Sequence, residues 1–94
     1  MAYVIHHITV ADYAQWKPIF DEDSANRAAG GSRGGYLFRS EAHPNELIVM
    51  FEWESLESAH AFSESPGLRE KMVQAGVNGK PEIFYLNKVE DVAK

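Results

Sequence analysis

Two adjacent histidines, His6 and His7, stand in the stretch Tyr-Val-Ile-His-His-Ile-Thr-Val near the amino terminus. Imidazole changes its charge close to neutral pH, so either could take a proton from a substrate, with its pKa tuned by burial and neighbours. Successive side chains of a strand point to opposite faces, so the pair cannot chelate one metal ion. One should face a helix–sheet space and the other the opposite side of the sheet. The plain alternative is a neutral core histidine that donates one hydrogen bond.

Other side chains could join such a base. Glu52 lies near the end of a second apolar strand, where it could orient a first-strand histidine or reach solvent. Arg39 could hold an anionic or phenolate substrate, or form a surface ion pair. Trp16, Phe20, Phe62 and Tyr85 could line an aromatic pocket, although aromatic residues at helical spacing also make ordinary core. His60 is expected to be partly buried beside Leu56 and Ala59, and His43 falls in a turn. Asp21-Glu22-Asp23 lacks an EF-hand pattern and reads as a solvated face, so no metal site is expected.

The elements that position these residues follow from patterning. Ala2 to Val10 reads as a strand apolar on both faces. Asp12 can cap a helix, with Gln15 completing a capping box, and Tyr13, Trp16, Ile19 and Phe20 share one stripe. Pro18 should kink that helix, which the alanines carry on to Gly30. Gly30 to Gly35, Gly-Gly-Ser-Arg-Gly-Gly, follows a helix and lacks the Gly-Lys-Ser/Thr ending of a phosphate-binding loop. It reads as a flexible connector, inert or acting as a lid. Tyr36 to Ser40 is a short strand, and Ala42-His43-Pro44-Asn45 a turn. Leu47 to Phe51 is an unbroken apolar run within the strand Glu46 to Trp53, which suggests burial on both faces. Ser55 caps a helix carrying Leu56, Ala59 and Phe62. Ser65-Pro66 starts another, which ends at Gly76. Glu82 to Asn87 is the last strand, and the charged tail from Lys88 is expected to be loosely held.

The 94 residues make one domain, 1–94, near the size at which a single core just suffices. A formal charge of −5 with scattered basic residues argues against nucleic-acid binding. No stretch approaches membrane-spanning length, and Met-Ala-Tyr-Val-Ile-His-His lacks the pattern of a signal peptide. With no cysteine there is no disulfide and no thiolate chemistry. The expected location is cytoplasmic.

Strand, helix, strand, strand, helix, strand makes two βαβ halves. Right-handed crossovers then give a ferredoxin-like α+β sandwich with a four-stranded antiparallel sheet. The first and third strands form its centre, and these are the two that read as apolar on both faces. Helices cover only one face. The other would expose either Ile48 and Met50 or the Leu47, Val49, Phe51 and Trp53 set. A large apolar patch calls for a partner, most simply a second copy packed sheet to sheet as a homodimer. Capping by the carboxy-terminal tail is the alternative.

Phe51-Glu52-Trp53-Glu54-Ser55 followed by Ser65-Pro66 resembles the strand–helix signature of antibiotic-biosynthesis-monooxygenase-like domains, in the dimeric α+β barrel superfamily. Asp12-Tyr13, Trp16-Lys17-Pro18, Phe20-Asp21 and Pro44-Asn45-Glu46 are similar to a small uncharacterised subgroup of that fold. The resemblance covers essentially the whole chain. It implies a dimeric barrel and cofactor-independent oxygenation, or a related proton transfer or cyclisation, on a small aromatic or apolar molecule between helices and sheet. His6 or His7 would take the proton, Arg39 would stabilise the anion, and Trp16 with Phe20 would stack the ring. Haem-degrading members of the fold carry a Trp and a ligating His where this chain has Phe62 and Met72, which disfavours haem; no cofactor is expected. The fold also hosts members with no known reaction, so a non-catalytic ligand-binding or assembly module is the second reading.

Overall fold

The computed structural model describes residues 2–94. The elements run β1 (Ala2–Val10), α1 (Tyr13–Glu22), α2 (Ser24–Gly30), β2 (Ser32–Arg39), β3 (Glu46–Trp53), α3 (Leu56–Ser63), α4 (Pro66–Gln74) and β4 (Val77–Asn87). The strands form one antiparallel sheet in the order β2-β3-β1-β4. This is the expected ferredoxin-like arrangement, with β1 and β3 at the centre.

Side-chain alternation divides the sheet. Val4 pairs with Phe51 and Tyr85, and His6 with Val49 and Ile83, on the face beneath the helices. Two buried clusters occupy that face. Ile8, Val10, Trp16, Leu47, Val49 and Ala75 form one, and Ala2, Val4, Trp53 and Ala59 form the other. His6 stands between Val4 and Ile8 at the gap between them, and Phe51 packs against both. On the opposite face the exposed large side chains are Tyr36, Phe38, Ile48, Phe84 and Leu86. Their strand partners place them together: Ile5 pairs with both Met50 and Phe84, Met50 with Tyr36, and Ile48 with Phe38.

Helix ends follow the local chemistry. Asp12 caps α1 by accepting from Ala14 N at 3.0 Å, one residue short of the expected partner Gln15. Ser55 accepts from Ser58 N at 3.1 Å, and Ser65 from Leu68 N with Pro66 in the first turn. These satisfy amide groups that no helical carbonyl can reach.

Four expectations need correction. The single helix expected from Tyr13 to Gly30 is two helices, broken at Asp23, whose backbone leaves the helical region at φ −85°, ψ 1°. Asp23 is also buried rather than on a solvated face. The flexible connector is largely strand: β2 starts at Ser32, and its pairing with β3 shifts register between Ser32 and Gly35. A Cβ on Gly35 would lie 1.7 Å from Met50 O, so glycine is there because two backbones touch. Finally, β4 begins at Val77, well before Glu82. Past Asn87 the chain has no regular structure, and Val89 and Val92 are exposed. Among the described residues no helix is long and apolar enough to cross a membrane.

Candidate functional site

The gap between the two core clusters is a cavity of about 60 Å³ between helices and sheet. Trp16 and Phe20 from α1, Phe51 and Trp53 from β3, and Phe62 from α3 supply its aromatic wall. Trp16 stacks on Phe20 at 4.6 Å between centroids, and Phe20 on Phe51 at 6.1 Å. Trp53 tilts against Phe62 at 5.2 Å. Such offset contacts fix ring orientation beyond what area burial alone would do.

Few polar groups reach this wall. His6 enters from β1 and meets Phe51 edge to face at 84°. Its Nε2 lies 3.5 Å from Ser63 Oγ, a weak hydrogen bond. Burial, with a smaller contribution from the nearby Arg27 charge, pushes the His6 pKa down to about 4. His6 is therefore neutral at pH 7 and carries a free lone pair on one nitrogen. Trp53 is 1% exposed, and its indole Nε1 is a buried donor with no partner among the described residues. An unpaired buried N–H costs about 1–3 kcal/mol.

Arg27, from α2, forms one edge of the cavity. Its Nη1 donates to Phe20 O at 2.8 Å, at the break between α1 and α2, where Asp23 N also donates to Phe20 O. The guanidinium lies 4.0 Å over the Phe20 ring and 5.3 Å from that of Phe51, within cation–π range. Burial lowers its pKa, while Asp23 and Asp21 oppose the shift. Asp23 also lines the cavity, with Oδ1 accepting from Asn26 Nδ2 at 2.7 Å.

The residues singled out from sequence separate into groups. His6, Trp16, Phe20 and Phe62 meet in the cavity. His7 lies on the opposite sheet face, where its Nε2 is 2.6 Å from Glu46 Oε1 and its Nδ1 is 3.0 Å from Glu82 Oε1. The hydrogen bond with Glu46 raises its pKa most; burial opposes the rise, and the hydrogen bond with Glu82 adds to it. Glu52 is on that same face and accepts from the Tyr3 hydroxyl rather than from a histidine. Arg39 donates to Pro44 O at 2.6 Å and covers the Tyr13 ring at 4.3 Å, outside the cavity lining. His60 stacks on Tyr85 with centroids 3.6 Å apart and pairs with Glu64; neither His60 nor Tyr85 lines the cavity.

Trp53, Arg27 and Asp23 are lining residues that sequence reasoning did not select. Trp53 served only as a marker of the fold, although strand parity puts it beside Phe51. The signal for Arg27 is a long cation among small residues in Ser-Ala-Asn-Arg-Ala-Ala-Gly.

No protein-family model matches the chain, and no curated protein sequence matches it. Solved structures do. A Bordetella bronchiseptica protein proposed to be an antibiotic biosynthesis monooxygenase superposes with a TM-score of 0.79 at 19% identity, covering 95% of this chain and 97% of that one. SnoaB, a cofactor-independent oxygenase from Streptomyces nogalater, gives 0.78 at 15% identity, covering 99% and 97%. A Caulobacter crescentus CB15 protein, also proposed to be an antibiotic biosynthesis monooxygenase, gives 0.74 at 21% identity, covering 95% and 90%. The chain thus has the fold of the antibiotic-biosynthesis-monooxygenase-like proteins along essentially its whole length. At these identities the likeness concerns the fold.

Proposed function

We propose that this protein is a homodimer that binds a small aromatic molecule against the aromatic wall beside His6, with one edge of the ring in the cavity, and oxidises it with molecular oxygen, without a cofactor. The observation that carries this reading is the neutral His6 imidazole brought together with the rings of Trp16, Phe20, Phe51 and Phe62 in a largely apolar lining, with the Arg27 guanidinium at one edge. A pocket of this kind orients an apolar ligand through a few convergent polar atoms. SnoaB, with the same fold, is a cofactor-independent oxygenase, which supports the class of chemistry.

The chemistry suits an aromatic substrate with an acidic ring methylene. His6 takes one proton, and Trp53 N–H and Arg27 stabilise the resulting anion. The carbanion then reduces oxygen and combines with it to a hydroperoxide, which loses water to leave a ketone. Substrate plus O2 gives ketone plus H2O, so the electrons balance with no cofactor.

The homodimer is the reading that covers Tyr36, Phe38, Ile48, Phe84 and Leu86, which a lone chain would leave in water. A cysteine-free chain suits a reducing cytoplasm. The low basicity of His6 is the observation that favours a non-catalytic ligand-binding module instead. Oxygen uptake with a panel of hydroxylated aromatic ketones that carry an acidic ring methylene decides between them. The oxygenase reading expects uptake stoichiometric with ketone and lost in His6→Gln. Binding without uptake across the panel, or a fully active His6→Gln, would remove the catalytic role.

A further inference from the structure

A second, open cleft of about 530 Å³ adjoins the cavity, between α1, α2 and the glycine-rich start of β2. Phe20, Arg27, Val49 and Phe51 line both spaces, so Arg27 lying over the Phe20 ring forms the partition between them. The charge around this partition is unlike that of the whole chain. The net charge is −5, yet the described residues lining the cleft include Lys17, Arg27 and Arg33 and no carboxylate; on the cavity side the partition also meets the buried Asp23, whose Oδ1 accepts from Asn26. Lys17 is neutralised by Asp21, whereas Arg27 and Arg33 have no ion-pair partner among the described residues. Lys71, on the cavity side, likewise has none.

We propose that Arg27 is a specificity residue: the ligand is an aromatic carboxylate whose rings lie in the cleft against Phe20 and Phe51, with the small cavity taking only their edge, while its anionic end is held at the partition by Arg27, with Arg33 and Lys71 adding to the field. This deepens the cavity reading and rests on it. A half-buried guanidinium that spends one N–H on a backbone carbonyl keeps its remaining donors for a planar anion, and burial strengthens such a bond. Its stacking on Phe20 holds the fork in place beforehand, so little side-chain entropy is lost on binding. A carboxylate is costly to desolvate, so an unmatched site would prefer the neutral analogue. Preference for the anion therefore reports the cation directly.

The test compares naphthoate with naphthalenemethanol, which share a ring system and differ in charge, by titration calorimetry on the full chain. Naphthoate is expected to bind at least about ten-fold tighter, and Arg27→Met to bring the two within about two-fold by weakening the acid alone. Arg27→Lys should keep part of the preference. The unmodified chain offers a second measure: naphthoate affinity should fall between about 20 mM and about 500 mM salt while that of the alcohol holds. Equal affinity for the two compounds, or a preference insensitive to both salt and Arg27→Met, overturns the role of Arg27 and leaves the cavity reading standing. Failure of both compounds to bind overturns both.

Discussion

His6 and His7 are chain neighbours separated by the sheet, and their surroundings pull the two imidazoles in opposite directions. His6 sits in the aromatic gap with its pKa pushed down to about 4, chiefly by burial. His7 lies between Glu46 and Glu82 on the open face, with its pKa raised. One strand thus presents a neutral base to the cavity and, on the opposite surface, an imidazole that holds its proton more tightly than usual.

The first consequence concerns acid stability. His6 has a folded pKa below its unfolded value of about 6.5, so the unfolded chain binds the extra proton first. The His6 contribution to stability is complete above about pH 6.5 and is lost as pH falls toward 4, by up to about 3 kcal/mol. Urea midpoints measured across that window should fall with pH in the native chain and much less in His6→Gln. Parallel pH profiles for the two would contradict the buried environment assigned to His6.

His7 carries the opposite sign, and it does so at the surface proposed as the dimer interface. Protonated, it donates from both ring nitrogens to Glu46 and Glu82; deprotonated, it leaves two carboxylates beside exposed Ile48 and Phe84. Of the titratable groups on that face, Tyr3 and Glu52 bond to each other. The stabilisation from His7 is full below its unfolded pKa and is lost as pH rises through the raised folded value. Sedimentation equilibrium should show dimer dissociation increasing as pH is raised through the folded His7 pKa, above about 6.5, with the effect absent in His7→Gln. Phe84→Glu should give a monomer at every pH, and a persistent dimer in that variant would place the interface elsewhere.

Glycine substitutions test the strand contact that sequence patterning misread. Gly35→Ala would push a methyl group into Met50 O, a backbone atom that cannot move aside without parting β2 from β3. Loss of more than about 3 kcal/mol, or failure to fold, is expected, in the range of severe overpacking. Gly67, in the first turn of α4, has nothing within 4 Å of an added Cβ. Gly67→Ala should stabilise by about 0.4–1 kcal/mol. Thermal unfolding of the two variants separates a glycine required by contact from one that is not.

These cases show why some features are readable in the sequence and others are not. Ala2–Val10 and Glu46–Trp53 appear at their full length because a strand apolar on both faces has no competing pattern. The edge strands carry Gly34, Gly35, Gly79 and Pro81, which read as turns. At an edge a missing donor is tolerated, and a glycine can serve a register shift. Trp16, Phe20 and Phe62 were legible as an aromatic stripe. Which histidine joins them depends on strand parity relative to the helices, a property of the assembled sheet. Arg27 enters the site only because the helix breaks at Asp23 and exposes Phe20 O, a tertiary event that no local spacing announces.

The orphan donor gives the last prediction. Trp53 N–H is buried with no partner among the described residues, so a ligand acceptor that reaches it should bind the more tightly for doing so. Trp53→Phe removes the donor and part of the ring, so two effects must be told apart. Lost packing weakens every ligand alike, whereas the lost donor weakens only ligands that accept a hydrogen bond. Acetonaphthone and ethylnaphthalene differ in that acceptor at nearly equal size. The ketone should bind the native chain more tightly, and Trp53→Phe should cut that advantage about ten-fold, the equivalent of one hydrogen bond of about 1.4 kcal/mol. The indole N–H resonance of Trp53 should move downfield with the ketone and stay in place with the hydrocarbon. An unchanged ratio of affinities, with no movement of that resonance, would mean that Trp53 acts as wall alone.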